Sequence, residues 1–117
     1  MSQLDAELHR LGAHAGVDLL VLLGRDGLVI QSTGSGNREE PVAARIPGLV
    51  SACEALGRAG ETGDFGTAVL DYPGGGVLIV TVVAEDLLLA ALVRSDMGFG
   101  PLLREMRSAR GRLPAFL

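Results

Sequence analysis

His9 and His14 are the only histidines of this 117-residue chain, and Cys53 is its only thiol. Five residues apart, the histidines diverge by about 140° on a helix, so a regular helix cannot bring both to one metal. Cys53 falls on an apolar stripe, where a core thiol is the ordinary role and a nucleophile the remote one. A Ser-His-Asp site would need His9 or His14 to meet a serine across the fold, and no nucleophile-elbow motif supports it. Gly74-Gly75-Gly76 follows Tyr72-Pro73 and enters a strand, not a helix N-terminus, so it reads as a hairpin turn and not a phosphate cradle. Gly34-Ser35-Gly36 has Glu39 where a dinucleotide motif needs its third glycine, and the absence of lysine excludes a P-loop. Asp71, Glu85 and Asp86 are acidic and sit near strand ends, and a solvated turn is the ordinary explanation for Glu85-Asp86. Arg104, Arg107, Arg110 and Arg112 crowd the last helix, where a solvated face is the ordinary role and an anionic partner the alternative. No catalytic, metal or cofactor constellation emerges, and the residues read as a binding or scaffold module.

Composition agrees. The length fits one domain, spanning 1–117, large enough to bury a real core. Hydrophobic residues make up 48% and charged residues 21%, which excludes a disordered chain. A net charge of −4 with four aromatics argues against nucleic acid, which needs a basic footprint and stacking platforms. The longest apolar stretch, Val77 to Val93, is broken by Glu85-Asp86 and is too short to span a membrane as a helix. The N-terminus shows no signal-peptide pattern, and a lone cysteine fits a reducing compartment. A cytoplasmic setting is expected, without membrane insertion.

The elements that would position any site follow from periodicity. Ser2 to Ala15 reads as a helix with Leu4, Leu8, Leu11 and Ala15 on one stripe, opened by a capping box from Ser2 to Asp5. Val17–Leu23 and Leu28–Thr33 form a hairpin around Asp26-Gly27; the first strand is central, and the second, which alternates Leu28 and Ile30 against Gln31 and Thr33, is an edge. A second helix lies between Glu39 and Ala59, with Ile46, Leu49, Val50, Cys53 and Leu56 as its apolar stripe. Pro47 inside that pattern either kinks the helix or lies in the first turn of its regular part; the second is favoured, with a lead-in turn from about Pro41 and a main helix from Ile46 or Pro47. A neighbouring stripe, Ala44, Gly48, Ala52, Ala55 and Ala59, either admits a close helix partner or reflects alanine bias.

Phe65–Tyr72, Val77–Val83 and Leu87–Val93 make an antiparallel meander, because connections this short forbid a parallel return. The last two strands do not alternate, so helices must cover both faces. Phe65–Tyr72 is milder and fits the second edge, with Thr67, Val69 and Asp71 on one side and Ala68, Leu70 and Tyr72 on the other. A last helix follows Asp96, with Pro101 in its first turn. Its stripe is Phe99, Leu102, Leu103, Met106, Ala109 or Arg110, and Leu113; Pro114 ends it before an apolar tail, Ala115-Phe116-Leu117.

Three phrases carry a resemblance: GVDLLVLLGRDGLVIQST (16–33), GVLIVTVVAEDLLLAALV (76–93) and SDMGFGPLLREMRSARGRL (95–113). In this order they resemble the roadblock/LC7 family over essentially the whole chain. The resemblance implies an α+β, three-layer α/β/α sandwich. Its five-stranded antiparallel sheet, order 2-1-5-4-3, would carry the second helix on one face and the other two on the opposite face. It also implies a homodimer through third strands and second helices, placing Gly48, Ala52, Ala55, Phe65, Thr67, Val69 and Asp71 at the interface. The family's theme, in bacterial polarity regulators as in eukaryotic scaffolds, is binding or regulating small Ras-like GTPases, in a manner like that of GTPase-activating proteins but without supplying standard catalytic chemistry. A non-catalytic homodimeric regulator or scaffold that modulates the nucleotide state or localisation of such a GTPase is therefore expected, with Arg45, Ser51, Glu54 and Arg58 on the exposed side of the second helix meeting the partner. A self-assembly module without a GTPase, or a small-molecule sensor, are the alternatives. Pro47 and the loose glycine turn at Gly75-Gly76 depart from the family pattern.

Overall fold

The computed structural model describes residues 2–34, 36–94 and 98–116. Expectations resting on Ser35 in the first glycine loop, on Ser95, Asp96 and Met97 before the last helix, and on Leu117 in the tail lie outside the described residues.

Helix α1 spans Gln3–Gly12. The Ser2 hydroxyl accepts from the Asp5 amide at 3.0 Å while the Asp5 carboxylate accepts from the Ser2 amide at 3.4 Å. This is the expected capping box, and it satisfies two donors that a helix start leaves open. The helix stops at Gly12, short of the expected Ala15, which is exposed. Strands β1 (Val17–Gly24) and β2 (Val29–Gly34) follow, then helix α2 (Glu39–Gly60). Strands β3 (Thr67–Tyr72), β4 (Gly76–Ala84) and β5 (Leu87–Val93) form the meander. Helix α3 (Gly100–Arg112) leads into a 3-10 turn, Leu113–Phe116, whose Phe116 tucks against the core.

The sheet runs β2-β1-β5-β4-β3, antiparallel throughout, as expected. Helix α2 covers one face, where Ala43, Ile46 and Val50 pack with Leu19, Val21, Leu23, Val80, Leu88 and Ala90. Helices α1 and α3 cover the other, where Leu8, Leu11, Leu102 and Met106 pack with Leu20, Leu22, Ile79, Leu89 and Ala91. Apolar burial on both faces is the main favourable term, at about 25 cal/mol per Å². It explains why β1, β4 and β5 lack alternation. The α1 and α3 helices are also joined by charge: Glu7 accepts from Arg10 at 2.6 Å and from Arg112 at 2.8 Å.

Four expectations change. Helix α2 is continuous through Pro47, without a separate lead-in turn. Proline removes the amide that the Ala43 carbonyl would accept from. The β1–β2 turn packs at that gap; a Cβ on Gly27 would lie 3.2 Å from the Ala43 oxygen and 3.3 Å from Pro47 Cγ. Leu56 is not on the buried stripe but 73% exposed. It lies about 80° round the helix from Ile46, beyond the arc that the sheet covers.

In β2 the apolar phase faces out, with Leu28 68% and Ile30 53% exposed. Leu22 pairs with Gln31 and Leu23 with Val29, so Ile30 is an extra residue, a β-bulge, and Val29, Gln31 and Thr33 are the more covered side chains of the strand. The glycine turn is not loose at its end: Gly76 is buried at φ +144°, and a Cβ there would come within 2.7 Å of the Val93 carbonyl oxygen. In α3 the buried alternative is Ala109.

Candidate functional site

The outer side of β3 carries no neighbouring strand among the described residues. Its backbone pattern can be read from one bond. The Gly66 carbonyl accepts from the Val82 amide at 2.9 Å, so residues 66 and 82 form a hydrogen-bonded pair. Such pairs alternate along an antiparallel ladder. Ala68 opposite Val80, Leu70 opposite Leu78 and Tyr72 opposite Gly76 therefore turn their amides and carbonyls toward β4. Thr67, Val69 and Asp71 turn theirs outward. An edge of this kind is a template for another strand.

Two side-chain faces flank that edge. On the α2 side, Leu70, Tyr72 and Leu78 form the floor of a groove of about 410 Å³. Its wall is the flank of α2 carrying Val42, Arg45, Ile46 and Leu49, with Arg38 and Pro41 at the end. On the α3 side, Thr67, Val69 and Asp71 follow one another, and Val69 is 42% exposed.

An arginine from α3 holds the start of β3. Arg110 donates through Nε to the Val82 carbonyl at 2.9 Å and through Nη2 to the Thr67 hydroxyl at 3.1 Å and the Thr81 hydroxyl at 3.4 Å. The two threonine oxygens are 2.8 Å apart, and Thr81 Oγ1 also donates to the Gly66 carbonyl at 3.2 Å. Thr81 is fully buried, and the hydrogen bonds of its side chain all lie in this cluster. Gly66 has no side chain to block the guanidinium; a Cβ there would collide with it.

The expected interface residues fall around this edge. Gly48, Ala52 and Ala55 are exposed, and a Cβ on Gly48 would meet nothing within 4 Å. Phe65 instead packs inward, against the core beneath α2. The four residues expected to meet a partner do not form one surface. Arg45 and Glu54, nine apart, point about 180° away from each other on a helix. Arg45 lines the groove, whereas Glu54 is half-buried and pairs at 3.2 Å with Arg25 of the β1–β2 turn. Ser51 and Arg58, seven apart and about 20° from each other, are both exposed on the outer face.

Sequence reasoning missed Arg110 and the groove floor. The signal for the first was Thr81, a lone hydroxyl in a strand with both faces covered, which required polar partners. The signal for the second was the apolar phase of β3 itself, Ala68, Leu70 and Tyr72.

Residues 4–93 match the model of the Roadblock/LC7 domain. The chain belongs to the Roadblock/LC7 family. A Roadblock/LC7 domain from Streptomyces avermitilis is 26% identical and superposes with a TM-score of 0.86, over 98% of this chain and 98% of that one. MglB from Myxococcus xanthus is 19% identical, with a TM-score of 0.86 over 98% of this chain and 94% of that one. MglB in a tetrameric arrangement is 17% identical, with a TM-score of 0.87 over 97% and 87%. These two likenesses are of fold. No curated protein matches the chain. Among the described residues, no helix is long and apolar enough to cross a membrane.

Proposed function

We propose that this Roadblock/LC7 chain is a non-catalytic, cytoplasmic homodimer that binds a small Ras-like GTPase and regulates its nucleotide state or its localisation. The observation that carries the reading is the outward backbone row of Thr67, Val69 and Asp71 beside an apolar groove and an exposed small-residue stripe. That surface suits a second polypeptide. Joining two β3 edges brings the two α2 helices together, and Ser51 and Arg58 then share a composite outer face on which the GTPase docks. Regulation follows from differential affinity: a dimer that binds one nucleotide state better shifts the GTPase toward that state.

The test measures binding of the purified chain to the small Ras-like GTPases of its own genome, loaded with GDP or a non-hydrolysable GTP analogue. Distinct affinities for the two states are expected, and Arg58→Glu should weaken the tighter one. Absence of binding in both states would refute the reading. A second reading, self-assembly without a GTPase, draws support from the tetrameric arrangement of MglB, a protein of the same fold. Light scattering at increasing concentration separates the two, since the first expects a mass that stops at the dimer.

A further inference from the structure

Arg110 holds a full positive charge against neutral oxygens: two hydroxyls and a carbonyl. It has no carboxylate partner among the described residues. Asp71 is exposed and makes no hydrogen bond or ion pair among them. Both lie on the α3 side of β3, since Asp71 shares that phase with Thr67. They cannot meet within one chain. Thr67 and Asp71 are four residues apart, about 13 Å along a strand.

A second copy changes this. Only residues with outward backbone groups can form hydrogen-bonded pairs across a new edge. Within β3 those are 67, 69 and 71. The two-fold arrangement that uses all three sets Val69 opposite the partner's Val69, and Thr67 opposite the partner's Asp71. Side chains directly opposite stand about 5 Å apart at Cβ. The guanidinium seated on Thr67 then faces the incoming carboxylate, with its Nη1 hydrogens uncommitted among the described residues.

We propose that Arg110 and Asp71 form a salt bridge between subunits, made twice in the dimer, that sets the register of β3 against β3. This rests on the edge-pairing dimer proposed above. The carboxylate would also meet the Thr67 hydroxyl, which Arg110 already orients. Gly66 serves the same site from below by leaving the guanidinium its seat.

A double-mutant cycle tests it. Dissociation constants are measured by sedimentation for wild type, Asp71→Asn, Arg110→Gln and the double variant, at low and high salt. Each single variant should weaken the dimer roughly 3- to 30-fold, as two cross-strand ion pairs would. The double variant should be no weaker than the worse single one, and the salt dependence should flatten. Register is read separately by oxidising Val69→Cys in a Cys53→Ser background. The Cα separation of a hydrogen-bonded pair, about 5.5 Å, lies within disulfide reach, so a covalent dimer should form. A dimeric wild type whose affinity ignores Asp71→Asn would overturn the bridge and leave the dimer standing. A wild type that stays monomeric at every concentration would overturn both.

Discussion

At the scale of single residues, charge is placed with a division of labour. Glu7 serves two arginines from different helices, and the hydrogen bond from Arg10 is the main reason its carboxyl titrates below the ordinary 4.5; burial opposes this, and Arg112 reinforces it. Its folded-state value is lower than the unfolded one, so its contribution is complete above pH 4.5 and fades as pH falls through the folded value. Glu7→Gln should therefore lower the melting temperature at pH 7, and the gap to wild type should close on acidification below pH 4.5. A gap unchanged with pH would assign Glu7 a packing role only. Arg25 works differently. It pairs with Glu54 on α2 and donates to the Glu85 carbonyl, so one side chain ties the β1–β2 and β4–β5 turns to the long helix.

At the scale of elements, Pro47 is the point where local preference yields to packing. A proline inside a helix costs about 3 kcal/mol, yet α2 runs on because β1, β2 and the turn between them fix the chain on both sides of it. Pro47→Ala should raise stability by about 1–3 kcal/mol, measured by denaturant unfolding, with the Ala43 carbonyl regaining its donor. A loss of stability would show that the ring's contact with Gly27 outweighs the missing hydrogen bond. The strand order, the two covered faces and the capping box were legible in the sequence because period and turn chemistry are local. The phase of β2 was not. Leu28 and Ile30 lie outside while Val29, Gln31 and Thr33 are the more covered, and nothing in Leu28–Thr33 marks the bulge at Ile30. Leu56 misled for a related reason: a stripe on a helix is wider than the arc a sheet can cover. The outward row at Thr67, Val69 and Asp71 was legible as an edge, but Arg110 was not, because its partners are 28 to 43 residues away in the chain.

At the scale of the whole molecule, the two rims of the sheet are unequal, and the difference bears on the proposed dimer. Val69 sits at the centre of the regular rim and is already partly exposed, so Val69→Asp should leave the monomer's fold intact. It should weaken the dimer by roughly tenfold or more, since two carboxylates would face each other across the axis. Sedimentation reads this directly, and wild-type affinity in the variant would remove β3 from the interface. The opposite rim carries the bulge at Ile30, which breaks the even ladder that a further strand would need. Two chains joined through β3 would form a ten-stranded sheet ending in two such broken rims. Sheet growth then has a built-in stop: a third copy finds no even edge to extend, and a fibre cannot begin. Any assembly larger than that proposed dimer would then use surfaces other than the sheet's edges.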